Sequence, residues 1–410
     1  LGDVYKRQYI DGGVTAPKGF KANGIHCGIR KNKSKKDLAL IYCEKECTAA
    51  GVYTQNLVCG APVTLTKENL KDGKAQAIIC NSGIANTCNA DGMEKAVGMG
   101  KIAADALGIS PENMVVASTG VIGQPLNLEP VENGIEELVK GLSENGSDSA
   151  AQAIMTTDTV KKEFAVSFEL DGKECRIGAI SKGSGMIHPN MATMLGFITT
   201  DCNISPQMLQ TALKAAVSDS FNMLSVDGDT STNDTVCVLA SGLCENEYID
   251  SENESFQVFA AALKDICISL ARAMAKDGEG ATKLVMCAVK GAKDKETAKK
   301  VAKSVICSAL VKAAMFGSDA NWGRVLCAMG YCGADIDVTK AGVSFKSAAG
   351  ECEVCRMGAG IEFSEEIAKK VLSEDEITID VTLMDGEAEA CAYGCDLTYD
   401  YVKINGDYRT

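Results

Sequence analysis

Ser181-Lys182-Gly183-Ser184-Gly185-Met186-Ile187-His188-Pro189-Asn190-Met191-Ala192-Thr193-Met194-Leu195-Gly196-Phe197-Ile198-Thr199-Thr200-Asp201 changes character twice within a few turns of chain. Its first part is a small-residue loop with one positive charge, Lys182. Pro189 then stiffens the backbone and pushes His188 towards an extended conformation. The run from Met191 to Ile198 is apolar enough for a buried strand. Thr193 places a hydroxyl in the middle of that run, and a buried hydroxyl needs a partner.

Two readings of Thr193 stand side by side. In the first, its hydroxyl bonds a backbone carbonyl in a sheet. In the second, it is an N-terminal nucleophile released by cleavage of the Ala192–Thr193 bond. The hydroxyl can reach the Ala192 carbonyl carbon through a five-membered ring, giving an ester that water then opens. The new α-amine has a reference pKa of about 7.7–8.0, against about 10.4 for lysine, so it can act as a base near neutrality. Threonine beside an N-terminal amine is an activated nucleophile.

Composition narrows the partners. The 410 residues carry 41 Lys and Arg against 55 Asp and Glu, a net charge of −14 that argues against nucleic acid or an anionic membrane as partner. No apolar run reaches the roughly 18 residues of a membrane-spanning helix. The 19 cysteines are scattered through apolar segments, which suits reduced thiols in a cytoplasmic protein. Cys352 and Cys355 form the one Cys-x-x-Cys pair, without the second pair that zinc wants. With His26 and His188 as the only histidines, multi-histidine metal sites are excluded, and no metal is expected. His188 reads as a satisfied loop histidine. Leu1 to Gln8 has charges at Asp3, Lys6 and Arg7 and is not read as a signal peptide.

Along the chain, strands are expected over 37–42, 49–53, 75–80 and 114–117, and helices over 93–107, 131–140 and 150–155. Asp171-Gly172 joins strands 163–170 and 174–181 in a hairpin. A helix over 205–217 precedes a polar loop, 225–234, and a strand, 235–239. That loop lacks calcium-loop spacing and reads as a hydrogen-bonded structural loop. Further helices are expected over 254–276 and 298–316, a strand over 284–289, and a helix opening at Asn321. A second Asp-Gly hairpin, at Asp385-Gly386, joins 376–383 to 388–393. Gly98-Met-Gly100-Lys-Ile-Ala103 imitates a dinucleotide fingerprint but lies inside a helical pattern, so it is rejected. Asn81 to Thr87 is a polar loop after a strand. Gly120 can present an N–H beside the Thr119 hydroxyl, two donors able to form an oxyanion hole. Glu279, between two glycines, is a carboxylate where backbone can approach a ligand.

The 181–201 stretch resembles the self-cleavage signature of the ornithine acetyltransferase family, the glutamate N-acetyltransferases of arginine biosynthesis. Other pieces follow in the family's order: Gly19-Phe20, Asn81-Ser82-Gly83, Ser118-Thr119-Gly120, Thr156-Thr157-Asp158-Thr159, Val226 to Asp234, Asp277 to Thr282, Ser318 to Gly323 and Asn405-Gly406-Asp407-Tyr408-Arg409-Thr410. The resemblance spans residues 9 to 410; Ile84, where the family commonly has a polar residue, is a small departure. It implies an α/β fold, a layered α/β/β/α sandwich with internal duplication, of the N-terminal-nucleophile type. It implies cleavage into an α chain, 9–192 after an unmatched 1–8, and a β chain, 193–410, folded together and assembled as an α2β2 heterotetramer.

Carried over by position, Thr193 is the nucleophile and Thr119 with Gly120 the oxyanion hole. Lys182, Thr193, Glu279, Asn405, Thr410 and one of Thr156 and Thr157, with Thr156 preferred, bind substrate. The implied reaction is ping-pong transfer of acetyl from N-acetylornithine to glutamate. No cofactor is implied, although acetyl-CoA stays open as a co-substrate. Two rivals remain: an aminopeptidase or amidohydrolase of the same fold that hands its acyl group to water, and an uncleaved metabolite-binding protein.

Overall fold

The computed structural model describes residues 7–188 and 194–406. Contacts divide the chain into two compact units. The first comprises 1–183, 189–218 and 230–270, and the second 184–188, 219–229 and 271–410. Each unit thus takes residues from both sides of position 192.

The first unit holds a nine-stranded sheet among its described residues. Its order is Arg7–Ile10, Lys162–Leu170, Lys173–Lys182, Leu195–Thr200, Thr235–Ala240, Leu38–Tyr53, Lys74–Asn81, Met114–Ser118, with Phe20–Ile25 paired to Leu38–Tyr53 outside that path. Strand alternation sends side chains to two faces. Ala39, Ile41, Ile78, Cys80, Val115 and Ala117 join one core with the helix Ser147–Ala153. Leu38, Leu40, Ala77, Ile79, Met114 and Val116 join the other with the helices Gly92–Leu107 and Glu129–Lys140. Both faces are therefore buried, which explains why these strands read as apolar runs rather than as alternating ones.

The second unit holds a seven-stranded sheet among its described residues, and the helix Lys295–Cys307 packs on its strands Leu284–Ala292 and Ala388–Cys395. The α/β class expected from sequence is the class observed. The rejected fingerprint at 98–103 lies within the helix Gly92–Leu107. No helix of the described residues is long and apolar enough to cross a membrane.

Three expectations need correction. The strands expected over 37–42 and 49–53 are one strand, Leu38–Tyr53, because the charged 44–46 segment stays in the strand through a register shift. The helix expected over 298–316 breaks at Ser308, whose hydroxyl accepts from the Val311 N–H and starts a new helix. The hairpin at Asp385-Gly386 does not form. Glu376–Thr382 and Ala388–Cys395 each pair with Leu284–Ala292, which lies between them. Asp385 bends the chain without a hairpin turn, because pairing follows long-range packing.

The hairpin at Asp171-Gly172 does form, with Leu170 opposite Lys173. Both turn residues have positive φ, 51° at Asp171 and 73° at Gly172, the geometry of a two-residue primed turn. Gly172→Ala should cost about 1–2 kcal/mol, since a Cβ is disfavoured in that conformation. Urea unfolding of the two proteins checks this, and equal midpoints would contradict the turn.

Candidate active site

In the first unit, three neighbouring strands set the frame. Lys182 lies opposite Leu195, and Leu195 lies beside Thr235. Lys182 ends the strand before the predicted cut, and Leu195 starts the strand after it. The Thr235 N–H donates to the Met194 carbonyl at 3.0 Å.

Asn233 and Asp234 lead into that third strand and reach in different directions. The Asn233 amide donates to the carbonyls of Ser118 (2.9 Å) and Ala85 (2.6 Å). Its oxygen accepts from the hydroxyls of Thr87 (2.6 Å) and Thr232 (2.5 Å). The Asp234 carboxyl is buried and faces the Met194 N–H, the hydroxyls of Ser231 and Thr54, and the charge of Lys182. Its Oδ2 has no partner among the described residues. Burial pushes this carboxyl well above the usual carboxylate range, against the pull of those donors. Consecutive residues thus hold the Ser118-Thr119-Gly120 turn and Met194, the residue after the predicted nucleophile.

The turn itself is built for exposed donors. Asn81 Oδ1 accepts from the N–H groups of Gly83 (3.1 Å) and Ile84 (3.0 Å), and its amide donates to Ser118 Oγ at 2.7 Å. The Thr119 N–H is used on the Asn81 carbonyl at 2.9 Å. Among the described residues the Thr119 hydroxyl and the Gly120 N–H donate to no protein acceptor, and both residues are half-buried. Gly120 has φ 125°, and a Cβ there would lie 2.3 Å from the Gly83 carbonyl oxygen. Only glycine fits that approach.

A buried carboxylate gathers the rest. Asp158 accepts from Lys162 Nζ (2.6 Å), from the Gly183 N–H (2.7 Å) and from the Thr156 N–H (3.0 Å). Burial would raise it, but the Lys162 and Lys182 charges and these hydrogen bonds outweigh burial and hold it far below the usual range. Asp158 therefore binds together the predicted positions Thr156 and Lys182. Thr157 is half-buried beside them.

In the second unit, Glu279 and Asn405 are in contact: the Asn405 amide donates to Glu279 Oε2 at 2.7 Å. The carboxylate lies against Gly185, where a Cβ would meet Oε2 at 2.2 Å, and the Glu279 N–H donates to the Ser184 carbonyl at 2.8 Å. Asp227 clamps the same loop through the N–H groups of Met186 (2.7 Å) and Ile187 (2.9 Å). His188 contacts Ser225 Oγ at 3.1 Å. Burial, aided by the Lys303 charge, pushes its pKa down to about 4, so it is neutral near pH 7 and a weak base.

Ala192, Thr193 and Thr410 lie outside the described residues. Asp158, Asp227, Asn233 and Asp234 are the site residues that sequence reasoning did not single out. Each stands within a quoted motif, but no spacing rule marks a residue that works by holding other residues.

A model of the ArgJ family matches residues 21–410. The chain belongs to the ArgJ family. It is 52% identical over 392 residues to the arginine biosynthesis bifunctional protein ArgJ 1 of Clostridium acetobutylicum, covering 95% of this chain and 96% of that one. It is 50% identical over 404 residues to the arginine biosynthesis bifunctional protein ArgJ of Caldanaerobacter subterraneus, covering 98% and 100%. A crystal structure of the Bacillus halodurans arginine biosynthesis bifunctional protein ArgJ is 46% identical, with a TM-score of 0.50, and spans 52% of this chain and 99% of that one. Family membership makes this chain an acyltransferase of arginine biosynthesis, the class its motifs resembled.

The opposite shifts of Asp234 and Asp158 separate in a stability profile. A raised carboxyl contributes stability in acid, which is lost as pH rises from the ordinary carboxylate range towards its folded value. A depressed carboxyl contributes stability above that range, lost as pH falls. Asp234→Asn keeps a neutral side chain and leaves Asp158 untouched. Its stability relative to wild type should therefore increase from pH 4 to pH 8, measured by urea unfolding. A pH-independent difference would contradict a buried, proton-holding Asp234.

Proposed function

We propose that the chain cleaves itself between Ala192 and Thr193 and then transfers acetyl from N-acetylornithine to glutamate through an acetyl-Thr193 intermediate. The observation that carries this reading is the unspent donor pair of Thr119 Oγ1 and Gly120 N–H, on a turn tied by Asn233 to the residue that faces Met194. An acyltransferase needs donors aimed at a developing oxyanion, and these are preorganised by glycine-only packing.

The Thr193 α-amine takes the hydroxyl proton as the oxygen attacks the acetyl carbonyl. Thr119 and Gly120 hold the oxyanion. The C–N bond then breaks and ornithine leaves with the proton. In the second half glutamate's amine attacks the acetyl ester, Thr193 regains its proton, and N-acetylglutamate departs. Lys182 binds a substrate carboxylate and Glu279 a substrate ammonium, with Asn405, Thr410 and Thr156 completing recognition. No cofactor enters this chemistry. The relatives are named bifunctional, and acetyl-CoA is the second donor proposed here. The two cleavage products stay together and assemble as α2β2.

Acid-quenched enzyme given N-acetylornithine alone should carry one acetyl group on the chain beginning at Thr193, and glutamate should discharge it as N-acetylglutamate. An unacetylated chain, or discharge to water regardless of glutamate, would contradict the transfer. Thr119→Ala should lower kcat by about 10²–10³-fold, the cost of one oxyanion donor. Glu279→Gln should act chiefly on the KM for N-acetylornithine.

A further inference from the structure

The first unit contains a second cluster of reactive side chains that the transfer chemistry does not use. Cys175 lies near the start of the strand Lys173–Lys182. Asp201 and Cys202 follow the strand Leu195–Thr200, and Cys244 follows Thr235–Ala240. The sulfurs of Cys175 and Cys244 are 2.7 Å apart. An Asp201 oxygen and these two sulfurs all lie within 4.8 Å of one another. The Cys202 thiol hydrogen-bonds Cys175 but lies outside that set of three. All four side chains are buried.

We propose that Cys175, Cys244 and Asp201 bind a thiophilic divalent metal ion of the zinc class. Elsewhere in a core, a free cysteine packs as an isolated small hydrophobe. Here two thiols and a carboxylate crowd together in the core. The Cys202 contact and burial push Cys175 up, burial and Cys175 push Cys244 up to about 12, and burial raises Asp201. A bound cation favours the thiolate form, and each coordinating thiol gives its proton to solvent.

The carboxylate is already oriented. Asp201 Oδ1 accepts from the Arg176 N–H (2.8 Å) and Oδ2 from the Lys18 N–H (3.1 Å), and each oxygen keeps a lone pair for a metal. The Cys244 N–H donates to the Asp201 carbonyl at 2.8 Å, which fixes that loop beside it. Zinc–sulfur bonds of about 2.3 Å in a tetrahedron place two sulfurs about 3.7 Å apart. Seating the ion therefore opens the Cys175–Cys244 pair by about an ångström. The ligands are scattered over the chain, so no Cys-x-x-Cys spacing announces them, and the sequence alone led to an expectation of no metal.

The test uses reduced full-length protein freed of metal and titrated with Co²⁺, then displaced by Zn²⁺. One Co²⁺ should bind with the charge-transfer absorption of thiolate ligation. The signal should vanish in Cys175→Ser and in Cys244→Ser and persist in Cys352→Ser. No thiolate absorption, or absorption undiminished in both cluster variants, would overturn the proposal. So would a mapped Cys175–Cys244 disulfide in protein purified without reductant, which makes the pair a cross-link. Should the serine variants fail to fold, X-ray absorption of the wild-type zinc protein decides. Two sulfurs and an oxygen around zinc uphold the site, and a shell of nitrogen and oxygen alone rejects it.

Discussion

The first unit's site depends on one register: Lys182 opposite Leu195, and Leu195 beside Thr235. A slip of one residue in any of these strands would turn its side chains to the other face. Lys182 would leave Asp158, and Asp234 would leave Met194. Apolar residues on both faces of these three strands are buried, among them Ile180, Phe197, Ile198, Cys237 and Val238, so such a slip is opposed. The same register bears on self-cleavage. The strands before and after position 192 are hydrogen-bonded neighbours, so a cut in the connection leaves their ladder intact.

Around that frame, buried charge organises the loops. Asp158 and Lys162 pair with no solvent exposure of either side chain. Removing one partner of such a pair leaves an uncompensated buried charge, which is far more costly than the pair is stabilising. Asp158 also holds the Thr156 and Gly183 amides, so the loop that carries Lys182 into the small-residue segment is anchored by a charge that cannot leave. Asp234 shows the other solution, a carboxyl buried with too little positive charge and therefore inclined to keep its proton. Two carboxyls in one unit are thus pushed in opposite directions by their surroundings, although both belong to polar motifs that look alike in sequence.

Much of this was legible in the sequence where the signal is local. The helix Glu254–Lys276 was delimited by its apolar period, and the Asp171-Gly172 turn by its positive-φ residues. The Glu279–Asn405 contact and the Thr119–Gly120 donors follow positions named from motifs. What was not legible depends on distant partners. Asp385-Gly386 looks the same as Asp171-Gly172, yet its flanking strands are separated by Leu284–Ala292. Phe20–Ile25 alternates apolar Phe20 and Ala22 with polar Lys21 and Asn23, a strand signal too short to stand alone, and its pairing with Leu38–Tyr53 completes it. Asn233 reads as an ordinary turn residue, and only the fold reveals that its amide spans Ala85 and Ser118.

The account rests on one peptide bond. The most direct measurement is the intact mass, under denaturing conditions, of freshly purified wild type beside Thr193→Ala. The account predicts two wild-type chains, ending at Ala192 and beginning at Thr193, of 192 and 410 − 192 = 218 residues, and a single uncut chain for the variant. A folded wild type that stays one 410-residue chain would contradict it, because Thr193 would then have no free amine to activate its hydroxyl.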